Sequence, residues 1–155
     1  MDARAYMVVL VGLAAVVEDL RSRRIPNWVS VGALASGLVI QGWMHGWGGL
    51  GQSLAGAAIG FCVFLIFYVL GGMGGGDIKL MAGFGALLGS GLILKAALMA
   101  AIVGALFALL YLSGRSLIRR VRGEAGQSQS RKERESMPYA PAITVGAWLA
   151  MASDL

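Results

Sequence analysis

The chain has 155 residues, 57% of them hydrophobic and 14% charged. A soluble domain carries about 25% charged residues, so there is too little charge here to coat a water-facing surface, and the natural solvent is a bilayer. A single cysteine, Cys62, and a single histidine, His45, exclude internal disulfides, zinc clusters and cysteine–histidine catalysis.

A spanning helix needs about 20 mostly apolar residues, and fewer where the bilayer thins. Six candidates follow one another over 4–22, 27–44, 50–71, 77–92, 94–113 and 138–153. They predict an all-α, polytopic membrane bundle of about six transmembrane helices, forming one domain over 1–155. The first apolar run, Ala5 to Val17, has the look of a signal-peptide core. However, Glu18, Asp19 and an arginine cluster stand where a small-residue cleavage site should be, so it reads as a retained helix. Its purely apolar part is too short to span alone and must take Glu18 and Asp19 into the helix near one membrane face. Between the second and third candidates lies the neutral connection QGWMHGWGGLGQS, with Trp43 and Trp47 as interfacial anchors. His45 between them reads as interfacial rather than as a ligand.

Five glycines in the six residues Gly71 to Gly76 precede the fourth candidate, with Asp77 in its first turn and Lys79 beside it. After the fifth candidate comes the one polar stretch, Gly114 to Ser136. Its first part can extend the helix as a basic amphipathic turn, and its second part has the composition of a flexible linker. The expectation is a flexible basic cytoplasmic loop over about 114–137. The 24 glycines suggest close helix packing. Gly56 with Gly60, and Gly85 with Gly89, are small-xxx-small pairs that let backbones approach.

Lysine and arginine positions set the expected topology. Arg21, Arg23, Arg24, Lys79, Arg115, Arg119, Arg120, Arg122, Arg131, Lys132 and Arg134 all fall on one side if six helices alternate; only Arg4 and Lys95 fall on the other. That asymmetry is the positive-inside pattern, with both termini outside and the basic connections cytoplasmic. Topology accounts for the net charge of +5, and no nucleic-acid partner is needed.

Ionisable residues within membrane segments are costly and mark functional candidates. In this topology Asp19 ends the first helix and Asp77 begins the fourth, so both carboxyls lie at the cytoplasmic face. Two carboxyls that approach each other cannot both ionise cheaply and titrate as a unit. One can then activate a water while the other, protonated, polarises a peptide carbonyl. The glycines before Asp77 would admit a substrate backbone and unusual backbone angles. A phosphate-binding loop is excluded because no Gly-Lys-Ser/Thr follows. A flexible hinge with a helix-capping aspartate accounts for this stretch equally well.

These residues resemble a known family. Gly74-Gly75-Gly76-Asp77 fits the G-x-G-D signature of intramembrane aspartyl proteases. EDLRSRRIPN, around Asp19, resembles the first-aspartate motif of type IV prepilin peptidases. GGGDIKLMA resembles their second motif, and MPYAPAITVG, from Met137 to Gly146, their last helix. The presenilin-like branch typically carries its first aspartate in a Tyr-Asp pair; here the pair is Glu18-Asp19, which favours the prepilin branch.

The resemblance implies a membrane aspartic endopeptidase that removes the basic leader of prepilin or pseudopilin substrates. It implies a multi-pass protein of the bacterial inner membrane with its site near the cytoplasmic face. Asp19 and Asp77 carry over as the catalytic pair. Gly74, Gly76, Lys79, Pro138 and Tyr139 carry over as motif residues. Larger members bear Cys-x-x-Cys pairs and methylate the new N-terminus. This chain looks like the short, peptidase-only form associated with Flp/Tad pilus systems, for which no methylation, cofactor or metal is expected. The alternative from another class is a small proton- or cation-coupled transporter or channel, since intramembrane carboxylates and broken helices serve transport too.

Overall fold

The computed structural model describes residues 3–22, 25–70, 73–121 and 139–153. They form four helices: α1 (Ala3–Ser22), α2 (Asn27–Val69), α3 (Gly75–Val121) and α4 (Ala140–Ala152). The all-helical expectation holds. Two stretches, Asn27–Val69 and Gly75–Phe107, are long and apolar enough to cross a membrane, and α4 is a shorter apolar helix. The six separate spans expected from the sequence are therefore not what the structure displays as elements.

The difference lies in two one-residue breaks. A straight helix of 43 residues would be about 65 Å long, twice the hydrocarbon thickness of a bilayer. The chain of α2 instead leaves helical geometry at Gly46 (φ 58°, ψ −141°), and α3 does so at Gly89 (φ 77°, ψ 174°). Both conformations are closed to most side chains and open to glycine. At Gly46 the chain folds back: Gly49 packs against the Gln41 carbonyl, and a Cβ on Gly42 would lie 3.0 Å from Leu50 Cδ2. Residues eight apart in a straight helix are about 12 Å apart and make no such contact. In the same way, Met81 and Ile93 flank Gly60 from either side of the Gly89 break. The connection expected across 41–53 is thus helical except at Gly46. The expected boundary between 92 and 94 falls instead at Gly89.

Contacts fix the directions of the arms. Gly83 meets Ser30 and Ala33, and Gly37 meets Ala86, so the first arms of α2 and α3 run parallel. Gly60 meets Met81 and Gly56 meets Gly85, so the second arm of α2 runs antiparallel to the first arm of α3. That first arm is the centre of the molecule: every residue from Leu80 to Gly89 is buried. Gly83 and Gly85 face opposite arms of α2, as expected for positions about 200° apart on a helix. The two small-xxx-small pairs meet each other, Gly56 lying against both Gly85 and Gly89. In lipid this close packing, rather than escape from water, holds helices together.

The break at Gly89 interrupts the helical hydrogen-bond ladder, and no water inside a bilayer can repair it. Side chains from both arms of α2 do so. Ser53 Oγ donates to the Ala86 carbonyl (2.9 Å) and Gln41 Nε2 to the Leu87 carbonyl (3.3 Å). At the periphery α1 shows an apolar stripe at Tyr6, Leu10, Leu13, Val17 and Leu20, each 49–65% exposed. The spacing of three and four residues makes this one helix face, suited to lipid. Trp43 and Trp47, both at least 90% exposed, flank the Gly46 turn. The helix α3 continues to Val121, so the first part of the expected 114–137 loop is helical, and the remainder lies outside the described residues.

Candidate active site

The antiparallel pairing of α1 and α4 positions the first carboxyl. Gly12 lets the helices meet, since a Cβ there would sit 2.5 Å from Thr144 Cγ2. Thr144 Oγ1 donates to the Gly12 carbonyl (3.4 Å) and Trp148 Nε1 to the Val8 carbonyl (3.3 Å). This register brings the start of α4 to the last turns of α1. There the Ala140 N–H, one of the N-terminal donors a helix leaves unpaired, donates to Asp19 Oδ2 (3.1 Å). Asp19 is buried, with 6% exposure. Its neighbour Glu18 is only half-buried, as a step of about 100° round the helix requires.

Asp77 lies in the first turn of α3, at the same end of the bundle. Its Oδ2 accepts from the Gly74 N–H (3.0 Å), and its own N–H donates to the Gly74 carbonyl (3.2 Å). This is the acidic half of a capping box. Asp77 is 7% exposed, and the two carboxyls are close enough to interact electrostatically. Residues 58 positions apart, on helices that do not follow one another, thus come to the same end of the bundle, both buried. Each carboxyl is tethered through Oδ2 alone; Oδ1 of both carries no hydrogen bond among the described residues.

The other expected residues divide. Gly76 packs against Ile25, where a Cβ would come within 3.1 Å of Ile25 Cβ, and Gly74 is the cap partner of Asp77. Positive φ, expected in this glycine run, occurs among the described residues only at Gly46 and Gly89. The need at Gly76 is for space. Lys79 is exposed and donates to Asn27 Oδ1 (3.0 Å), away from the carboxyls. Tyr139 caps α4 with its ring beside Gly104. Pro138 lies outside the described residues. Two participants were not singled out from sequence. The Ala140 N–H is a backbone group with no side-chain signature, and Asn27 was visible only as the end of Ile25-Pro26-Asn27. Among the described residues no group of three or more His, Cys, Asp or Glu could hold a metal ion.

A helical bundle with two buried carboxyls at one end, within electrostatic range of each other, is the class that fold and site define. The chain belongs to the type IV leader peptidase family, whose model matches residues 6–109. It is 32% identical over 154 residues to the prepilin leader peptidase/N-methyltransferase of Bacillus subtilis (strain 168), an alignment covering 92% of this chain and 53% of that protein. It is 34% identical over 91 residues to the preflagellin peptidase of Methanococcus voltae, covering 56% of this chain and 39% of that one. The preflagellin peptidase of Methanocaldococcus jannaschii is 38% identical over 89 residues, covering 54% and 37%. The chain spans about half or less of the length of these relatives. No solved structure matches it significantly.

Proposed function

We propose that this chain is a membrane aspartic endopeptidase that cleaves the leader of prepilin-like proteins at the cytoplasmic membrane face, with Asp19 and Asp77 as its catalytic pair. The observation that carries the reading is that two buried carboxyls lie at the same end of the bundle within electrostatic range of each other, each tethered by a backbone N–H. The tethers fix the orientation of both groups, and Oδ1 of each, which carries no hydrogen bond among the described residues, is assigned to water and substrate. One carboxylate takes a proton from the attacking water as the oxygen bonds to the scissile carbonyl carbon. The other, protonated, hydrogen-bonds the carbonyl oxygen. As the C–N bond breaks, a proton passes to the leaving amine.

The substrate class is supported by the relatives, named for prepilin leaders and preflagellin. The same proposal includes an inner-membrane protein crossing the bilayer six times, the arms of α2 and α3 counting separately. It also includes peptidase activity without methyl transfer, cofactor or metal. The test follows leader removal from a co-expressed prepilin. Asp19→Asn and Asp77→Asn keep side-chain size but can act neither as base nor as acid, so each should abolish cleavage with the protein still in the membrane. The double variant should be no worse than either single, because the two act as a unit. Glu18→Gln should retain substantial activity. Full cleavage by Asp77→Asn sinks the proposal.

A further inference from the structure

We propose that Asn27 and Lys79 are a positioning pair that holds Asp77 in register with Asp19, and that Lys79 does not contact the substrate; this rests on the reading of the two aspartates as the catalytic pair. Lys79 follows Asp77 by two residues, about 200° round the helix, and the structure agrees: Asp77 is buried and Lys79 exposed. An ammonium on that side cannot serve the carboxyls directly. It donates instead to Asn27 Oδ1, 3.0 Å away, at the first residue of α2.

The value of that contact comes from what it joins. Helix α1, which carries Asp19, packs more on α4 than on α2 or α3. Its direct packing on α3 is the slightest of the three, and α4 packs on α3 through Ala100 and Gly104, beyond the Gly89 break. Beside the first turn of α3 stands the short connection ending in Ile25, Pro26 and Asn27. Two contacts fasten that connection to the first turn of α3: Ile25 against Gly76 and Asn27 to Lys79. Residues 76 and 79 bracket Asp77, so the turn that carries it is held on both sides. Loosening either contact leaves the packing of α4 on α1 and α3, and the Ala140 tether on Asp19, intact but lets the first turn of α3, with Asp77, shift relative to Asp19. Misplacement of reacting groups by about 1 Å costs about a hundredfold in rate.

The test uses the full chain in proteoliposomes and one probe, a synthetic peptide with a basic leader, a glycine and an apolar helix. Lys79→Met and Asn27→Ala should each lower kcat about ten- to a hundredfold with KM within about twofold, and the double variant should be no worse than the poorer single. The exchanged pair, Asn27→Lys with Lys79→Asn, restores the hydrogen bond with donor and acceptor swapped and should recover most of kcat. It also carries the test if Lys79→Met fails to accumulate. A raised KM in Lys79→Met, with Asn27→Ala normal and no recovery on exchange, would make Lys79 a substrate contact and overturn the proposal. Normal kinetics in both singles would overturn it as well. If Asp19→Asn and Asp77→Asn remain inactive in that case, only the positioning pair fails. If they cleave, the catalytic reading itself is wrong.

Discussion

At Asp77 the two oxygens of one carboxyl have different surroundings. Oδ2 accepts the Gly74 N–H and closes the first turn of α3, while Oδ1 carries no hydrogen bond among the described residues. The helix cap and the reactive group that the sequence offered as alternatives are therefore compatible. Substitutions should separate them. Asp77→Asn keeps an acceptor for Gly74 and should lose cleavage at nearly unchanged thermal stability. Asp77→Ala should lose cleavage and also about 0.5–2 kcal/mol, the usual cost of a lost cap. The neighbouring glycines should differ for a steric reason. A methyl at Gly74 makes an ordinary 3.4 Å contact with Asp77 Oδ2, whereas one at Gly76 presses to 3.1 Å on Ile25 Cβ. Gly76→Ala should thus reduce leader cleavage more than Gly74→Ala; the reverse order would place the close approach at the wrong glycine. Both aspartates were legible because charge in an apolar run is conspicuous. The donors that orient them were not, being backbone N–H groups whose partners depend on how distant helices register.

Among the elements, the breaks at Gly46 and Gly89 decide how many times the chain can traverse its own bundle. Composition revealed enough apolar length for several passes and marked Gly85 and Gly89 as packing positions. It misplaced the boundaries, because a one-residue turn leaves no polar gap for hydropathy to detect. At Gly89 the strained backbone and its repair make separate predictions. Gly89→Ala puts a Cβ on a residue at φ 77° and should cost about 1–3 kcal/mol. Ser53→Ala leaves the Ala86 carbonyl without its 2.9 Å donor; membrane hydrogen bonds of this kind average about 0.6 kcal/mol and reach about 1.7. Gly85→Leu should be far worse, since even a Cβ there collides with the Gly56 backbone. Unfolding of the purified variants in mixed micelles ranks the three. A Gly85→Leu variant as stable as the parent would mean that the two arms do not pack through these glycines.

For the molecule as a whole, the contacts assign every helical arm to one of two ends. Asp19, Asn27, Lys79 and Tyr139 gather at one end; Gly46 and Gly89 mark the other. Charge follows the same division: Arg21 and Lys79 lie at the carboxyl end, whereas Arg4 and Lys95 lie toward the opposite one. Because basic residues are retained in the cytoplasm, the end with the aspartates should face inward. Cysteine labelling tests this without disturbing the site. With exposed Cys62 replaced by serine, single cysteines can be placed at Ser22, Gly48, Gly91 and Ser153, all exposed. Open space surrounds a Cβ at both Gly48 and Gly91, so those substitutions need no repacking. A membrane-impermeant maleimide added to intact cells should label Gly48→Cys, Gly91→Cys and Ser153→Cys. Ser22→Cys should react only after permeabilisation. Labelling of Ser22→Cys from outside would put the carboxyls on the wrong face for a cytoplasmic leader. Labelling of Gly48→Cys and Ser153→Cys from opposite sides would break the alternation of arms from which the six crossings are argued.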